Sequence, residues 1–342
     1  PNNVIFFANN TTSTGIGVDT EQIHRWSVRT YDYYTGASYG INTSLVSLHQ
    51  LSPSEQITYQ LPNNSYWNST ETWDISYIQP IMPGSDLPQP AYTSEYMMWA
   101  ESMAELNMTN HTGDIVISAG SVMAMMVAAP EVFYTDAELQ GAIPFPSPYA
   151  TDVPDYFMDN TAAESSVRDI TFGVISDASA TTAWDKIEAI RKYLAEEDTN
   201  TTDIDFKLNF DGSGVPMIED AVRFILDDAR EGSCAEYVTI FTTMARIAGI
   251  PARVANGYSG GIWHGTGYMV MGSHWNSWSE VHLEGSTGLD MGWIPINPCP
   301  PAEDVQFLNE SVTPLTFERD LSTGSIYVNG TLQFSNNSTG AS

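Results

Sequence analysis

Basic side chains are scarce in this chain: 12 Lys and Arg stand against 42 Asp and Glu among 342 residues, a formal charge of −30 at neutral pH. Only 16% of the residues are charged, so the imbalance comes from missing bases as much as from added acids. Such a surface argues against nucleic acid and anionic membranes as partners, because both need a basic patch. Self-repulsion at this charge would be relieved by salt or divalent cations. Cysteine occurs twice, at 234 and 299, and no metal-ligand motif or glycine-rich phosphate loop is present. No metal or organic cofactor is therefore expected. Asp203, Asp205 and Asp211 could collect a calcium ion, but they lack the spacing of a known loop, and solvated loop carboxylates are the plainer reading. No apolar run is long enough to span a membrane and no signal peptide precedes Pro1, so the chain reads as a mature or excised ectodomain.

The chain is long enough for two domains with real cores, and 42% hydrophobic with 11% aromatic residues is a globular composition. Asn-x-Ser/Thr acceptors are dense: Asn9, Asn10, Asn42, Asn63, Asn68, Asn107, Asn110, Asn200, Asn309, Asn329, Asn336 and Asn337. With so little lysine, that density reads as an exported surface glycoprotein carrying N-linked glycans.

Residues 1–160 read as a β-rich region. Short or alternating apolar stretches at 4–7, 23–34 and 114–118 mark strands. A proline-rich run over 142–148 reads as a linker. Helices are expected over 165–174 and 181–195, the second placing Trp184, Ile187, Ile190 and Leu194 on one face. A strand at 206–210 and helices at 218–228 and 235–248 follow. Residues 259–272, rich in glycine, read as a flexible loop. Beyond residue 305, strands are expected over 312–318 and 325–334, then a polar tail over 335–342. The strand near 326–332 resembles the opening of an Ig-like module, or a donor strand for a neighbouring copy.

The most informative stretch runs from 232 to 300. It contains Gly232-Ser233-Cys234-Ala235-Glu236-Tyr237, Gly249-Ile250-Pro251-Ala252-Arg253, Asn276-Ser277-Trp278-Ser279-Glu280-Val281 and Gly292-Trp293-Ile294-Pro295-Ile296-Asn297-Pro298. This order resembles the transglutaminase-like superfamily. The aromatic segment at 23–34 resembles the strand that precedes such a core in membrane-anchored TgpA-type proteins. The resemblance implies an α+β fold with a papain-like core, in which a Cys-bearing helix packs on an antiparallel sheet. It divides the chain into a sandwich-like β domain at 1–160, the core at 161–305 and a β tail at 306–342. Together with the acidity it suggests an archaeal source, with a bacterial one as the alternative.

The resemblance also assigns roles. Cys234 takes the nucleophile's place at a helix N-terminus, where the dipole lowers a thiol pKa. Asn276 stands where the family has its histidine, and Asn297 where it has its aspartate. Asn in the third position is tolerable, as in papain-like enzymes. Asn for the histidine is not, because an amide has no basicity near neutral pH. Two other bases are conceivable. His274, two residues upstream on the same strand face and roughly 6–7 Å along, is one. His264, swinging in from the loop, is the other, although a solvated loop histidine is the plainer reading. Cys299 could pair with Cys234 in an oxidising compartment, or both could stay buried free thiols. Arg253 is expected to brace its turn and His282 to lie at the surface.

These readings favour an extracellular structural, self-assembling or interaction protein on an inactivated core, with itself or other cell-surface proteins as partners. Two alternatives stay open. One is a thiol enzyme, a transglutaminase, peptidase or amidase, using Cys234 with a displaced His274. The other is a glycan-binding module with Trp263, Trp275 and Trp278 lining the old cleft.

Overall fold

The computed structural model describes residues 3–10, 25–31, 33–34, 39–40, 45–51, 56–58, 67–81, 85–90, 95–100, 104–109, 114–132, 134–145, 162–195, 207–208, 231–263, 267–300, 317–320, 325–328 and 331–334. The fold is α+β, and nearly all of its strand pairs are antiparallel. The exception among the described residues is the short pair Lys207–Leu208 with Glu231–Gly232.

Two sheets carry most of the chain. A seven-stranded sheet runs in the order Ile262–Trp263, Gly267–Met271, Val4–Asn10, Trp67–Ile81, Val122–Val132, Glu95–Ala100, Gln56–Thr58. The alternating residues Phe6 and Ala8, and Trp73, Ile75 and Tyr77, point to one face. There they meet Leu106, Ile115 and Ile117 of a three-stranded sheet, closing a sandwich core. Aromatic edges fix its interior: Trp26 meets Trp73 at 5.1 Å and 88°, and Phe6 meets Trp26 at 5.6 Å and 79°. Each such pair contributes about 0.5–1.5 kcal/mol beyond its buried area.

The second sheet has six strands. Its path is Ile143–Pro144, Trp275–Glu284, Ala252–Ser259, Arg25–Tyr31, Gln89–Pro90, and Asp290–Ile296 pairs with Trp275–Glu284 off that path. Helices Ala162–Asp177, Ala183–Ala195 and Cys234–Ile247 build the other core on it. Ile187, Ile190 and Leu194 of the middle helix are fully buried, as their spacing predicts, against Tyr237, Phe241 and Met244 of the third.

Strand partners cross the boundary expected near residue 160. Arg25–Tyr31 pairs with Ala252–Ser259, and Val4–Asn10 pairs with both Gly267–Met271 and Trp67–Ile81. Trp26 therefore stands in the core's sheet while its indole packs in the sandwich. Asp114, fully buried, ties the layers further by accepting the Thr30 N–H and hydroxyl, both at 2.9 Å. At the bulge between Asn256 and Gly257, any Cβ on Gly257 would overlap the Trp26 carbonyl oxygen, so only glycine fits.

Other segments differ from the sequence reading. Residues 259–272 form a hairpin, Ile262–Trp263 against Gly267–Met271, which the pairing with Val4–Asn10 extends and whose Tyr268 and Val270 enter the sandwich core. Gly260, at φ 75°, lies in the connection that leads from the strand Ala252–Ser259 into the hairpin. Within the proline-rich run, Ile143–Pro144 adds an edge strand at Leu283–Glu284, a place that needs no donor from Pro144. The helix expected at 165–174 extends over Ala162–Asp177. In the tail, Phe317–Asp320, Ser325–Val328 and Thr331–Phe334 pair with one another. The helix expected at 218–228 lies outside the described residues, as do Asp203, Asp205 and Asp211.

Candidate active site

Cys234 is placed by the start of its helix. Ser233 is extended at the N-cap, and the Glu236 carboxylate accepts both its N–H, at 2.8 Å, and its hydroxyl. The helix is then pinned to the strand Trp275–Glu284 through Ser279. That buried hydroxyl donates to the Val238 carbonyl at 3.1 Å and lies 3.0 Å from Thr242 Oγ1. This pinning fixes the rise of the helix along the strand and sets Cys234 Sγ 3.7 Å from the Ser277 carbonyl oxygen.

The Cys234 sulfur is bonded to Cys299, with the two Cα atoms 5.4 Å apart, inside the range that a bridge requires. Cys299 is delivered by a turn in which exposed Asn297 accepts the Cys299 N–H through Oδ1 at 3.2 Å. Both cysteines are consumed by the bond. Asn276 is likewise engaged locally, its Oδ1 accepting the Ser277 N–H at 2.8 Å. Ser279 contacts the helix, and Ser277 shares its strand face. Asn276 occupies the alternate position, with Trp278 and Glu280.

Among the described residues, His274 and His282 both stand away from the positions expected of them. His274 lies in the 3-10 turn Gly272–His274, not on the strand expected of it. Gly272 starts that turn by donating to the Asn3 carbonyl, which ends the preceding strand, and His274 Nδ1 folds back to accept the Met271 N–H at 3.0 Å. Burial pushes its pKa below the ordinary value. His282, expected at the surface, is 5% exposed. Its ring is stacked between Phe145 (4.2 Å) and Trp293 (4.7 Å), with Nε2 2.7 Å from Asp290 Oδ1. It alternates with the helix-facing positions, so the strand period carries it into the opposite layer. His264 lies outside the described residues.

The strand's other motif residues form a brace. Trp278 Nε1 donates to Glu280 Oε1 at 3.0 Å, and Glu280 Oε2 lies 2.7 Å from Arg253 Nε. The Arg253 guanidinium stacks 4.2 Å over Trp293. Arg253 thus braces neighbouring strands. Trp278, 2% exposed, cannot present a surface, whereas Trp275 is 49% exposed. Trp263 stands in the strand Ile262–Trp263. Of the glycan acceptors, Asn9, Asn10, Asn68 and Asn107 lie in strands and the other eight lie outside the described residues. Ser277, Ser279 and Asn256 were missed by motif reading. The Ser-x-Ser alternation within the strand was the available signal for the first two.

Residues 168–298 match the sequence model of the transglutaminase-like superfamily, and the core of this chain is transglutaminase-like. The uncharacterized protein YebA of Bacillus subtilis (strain 168) is 27% identical over 122 residues, 34% of this chain; the match spans 15% of the length of YebA. Among solved structures, the periplasmic domain of TgpA from Pseudomonas aeruginosa is similar at a TM-score of 0.55 and 15% identity, covering 87% of this chain and 88% of that one. The same domain bound to ethylmercury gives a TM-score of 0.54 at 16% identity, covering 87% and 90%. That likeness is one of fold, and it extends over the β layers as well as the core.

Proposed function

We propose that this chain is an exported, glycosylated surface protein whose transglutaminase-like core serves structure and interaction rather than thiol chemistry. The observation that carries this reading is the bond between Cys234 and Cys299, in a chain with Asn276 at the position where the resemblance puts a histidine. A nucleophile without a thiolate, in a core with an amide at the family's base position, cannot open an acyl substrate. The acidic surface and the twelve glycan acceptors support export, and the bond fits an oxidising compartment. Self-association into a sheath, filament or surface layer is part of the proposal, with divalent cations or salt relieving the charge.

Two measurements test it. Native protein is alkylated without reductant, digested and weighed; a linked peptide pair bearing Cys234 and Cys299 is expected, and a free, fast-alkylating Cys234 refutes the inactive core. Sedimentation in salt and calcium reads assembly, and a monodisperse monomer at high concentration counts against that part. The second reading, a thiol enzyme awakened by reduction, draws on the place of Cys234 at a helix N-terminus. Turnover of a peptide panel by reduced protein, lost in Cys234→Ala, would favour it.

A further inference from the structure

We infer that the ledge beyond the Cys234 helix, formed by Trp275, Tyr258, Ser277 and Asn256, binds a neutral oligosaccharide. This inference rests on the reading of the core as non-catalytic. The register builds the ledge: Trp275 pairs with Tyr258 and Ser277 with Asn256 across neighbouring strands. Cross-strand partners share a face, and so do residues two apart, so these four side chains form one patch. Ser279, the next residue on that face, lies under the helix, and Ser277 meets Cys234 at the helix's first residue. Trp275 and Tyr258 therefore lie just past the end of the helix.

The patch has the chemistry of a sugar site. Trp275 exposes about half of its surface, and its ring is held against Tyr258 at 5.2 Å and 81°. Tyr258 is itself wedged on Phe6 of the sandwich core at 5.6 Å. A rigid indole face of this kind accepts the apolar C–H face of a pyranose at little entropic cost. Beside it the Asn256 Oδ1 is buried and accepts no hydrogen bond. Where it stands that oxygen has almost no accessible surface, and a small turn of the Asn256 side chain toward the ledge would let a ligand hydroxyl supply the missing donor. Asn276, next along the strand, uses its Oδ1 on Ser277 N–H. None of the four patch residues is ionisable near neutral pH; Arg29, the partner of Asn256 on the next strand, is paired with Asp86, and the first-turn carboxylate Glu236 is taken by Ser233. An aromatic platform edged by amides and hydroxyls selects a neutral, hydroxyl-rich ligand over a charged one. On the reading of the chain as glycosylated, its twelve Asn-x-Ser/Thr acceptors would carry such ligands on neighbouring copies.

The test uses whole protein made without glycans and with the disulfide intact. It is titrated with mannohexaose, cellohexaose, chitohexaose and an uncharged Gly-Ser-rich peptide, and binding is read by tryptophan fluorescence and NMR. At least one sugar is expected to bind at millimolar or lower concentration. Trp275→Ala should weaken it by roughly tenfold or more with unchanged circular dichroism, and Trp275→Phe, which keeps a platform, by only about threefold. Should Trp275→Ala misfold, the comparison of Trp275→Phe with Asn256→Ala decides. Weakening by both supports the site. No sugar binding, sugar binding indifferent to these variants, or binding of the peptide alone overturns it. A glycosylated preparation separates the sources: association lost on enzymatic deglycosylation identifies a neighbour's glycans, and binding of free sugar alone identifies a foreign polysaccharide. A free, reactive Cys234 with sugar bound would sink the inactive core but not this site. A linked Cys234 with no sugar bound would do the reverse.

Discussion

Removing the Cys234–Cys299 bond should destabilise the core by a calculable amount. The bond closes a loop with a sequence separation of 65. In the chain-entropy treatment a loop of that length costs the unfolded state about 14 cal/mol/K, or about 4 kcal/mol at 25 °C. With about 2.1 cal/mol/K of unfolding entropy per residue, 342 residues melting together give about 0.7 kcal/mol/K, so the midpoint should fall by about 6 °C. The assay is thermal and urea unfolding of wild type, Cys299→Ala and the double variant Cys234→Ala/Cys299→Ala at pH 7 without reductant. The single and double variants should match, because one bond is lost once. The urea m-value should rise, since an uncrosslinked unfolded chain exposes more surface. A double variant within about 1 kcal/mol of wild type would refute the reasoning, by showing that the bond is not formed in the native chain or that the loop stays ordered when it unfolds.

Four further outcomes are expected. Glu280→Ala takes the carboxylate partner from both the Arg253 guanidinium, with its side chain 10% exposed, and the Trp278 indole N–H, so urea unfolding should show a loss of about 3–5 kcal/mol. Asn276→Ala, which breaks one local hydrogen bond at a half-buried site, should cost about 1 kcal/mol or less. His274 has its pKa depressed by burial, so as pH falls below about 6.5 the unfolded chain takes up the proton first. The contribution of His274 is thus whole above that pH and is lost below it, and His274→Asn should flatten the acid limb of stability against pH. Asn276→His should leave oxidised protein inert to iodoacetamide. After reduction it should alkylate at Cys234 roughly tenfold faster near pH 7 than reduced wild type.

What the sequence disclosed depended on the range of the interaction. The Cys234 helix was legible because its signals are local: Ser233 and Glu236 three apart, then an apolar face ending at Gly249. The strand Trp275–Glu284 was legible by its alternation. The side of the sheet that each residue faces was not, and that misplaced His282, whose stacking partners Phe145 and Trp293 come from distant segments. His274 failed for a nearer reason: the Gly272-Ser273 turn ends one strand before it and the next begins after it. The hairpin 262–271 was hidden because its partner strand lies at residues 4–10, more than 250 residues away. Sequence also left the two cysteines open between bridge and thiols, since only the packing of Ser279 on the helix brings their Cα atoms within reach.

The residues by which the core is recognised are mostly those that hold it together. Trp278, Glu280, Arg253 and Trp293 form one buried chain of hydrogen bond, ion pair and stacked ring across neighbouring strands. Losing Trp278, Glu280 or Arg253 breaks a buried hydrogen bond or ion pair, and losing Trp293 removes the ring that the guanidinium stacks on, so the fold cannot shed them cheaply. Asn276 and Asn297 carry no such obligation. Their amides serve only the adjacent Ser277 and Cys299 backbone. A position that packs against nothing deep can exchange an imidazole for an amide without disturbing the sheet, and Asn297 in its place now shapes the turn that delivers Cys299 to Cys234. The chemistry of such a core is therefore separable from its architecture. Here the sulfur at the nucleophile's place fastens the helix to the segment that follows the sheet's last strand.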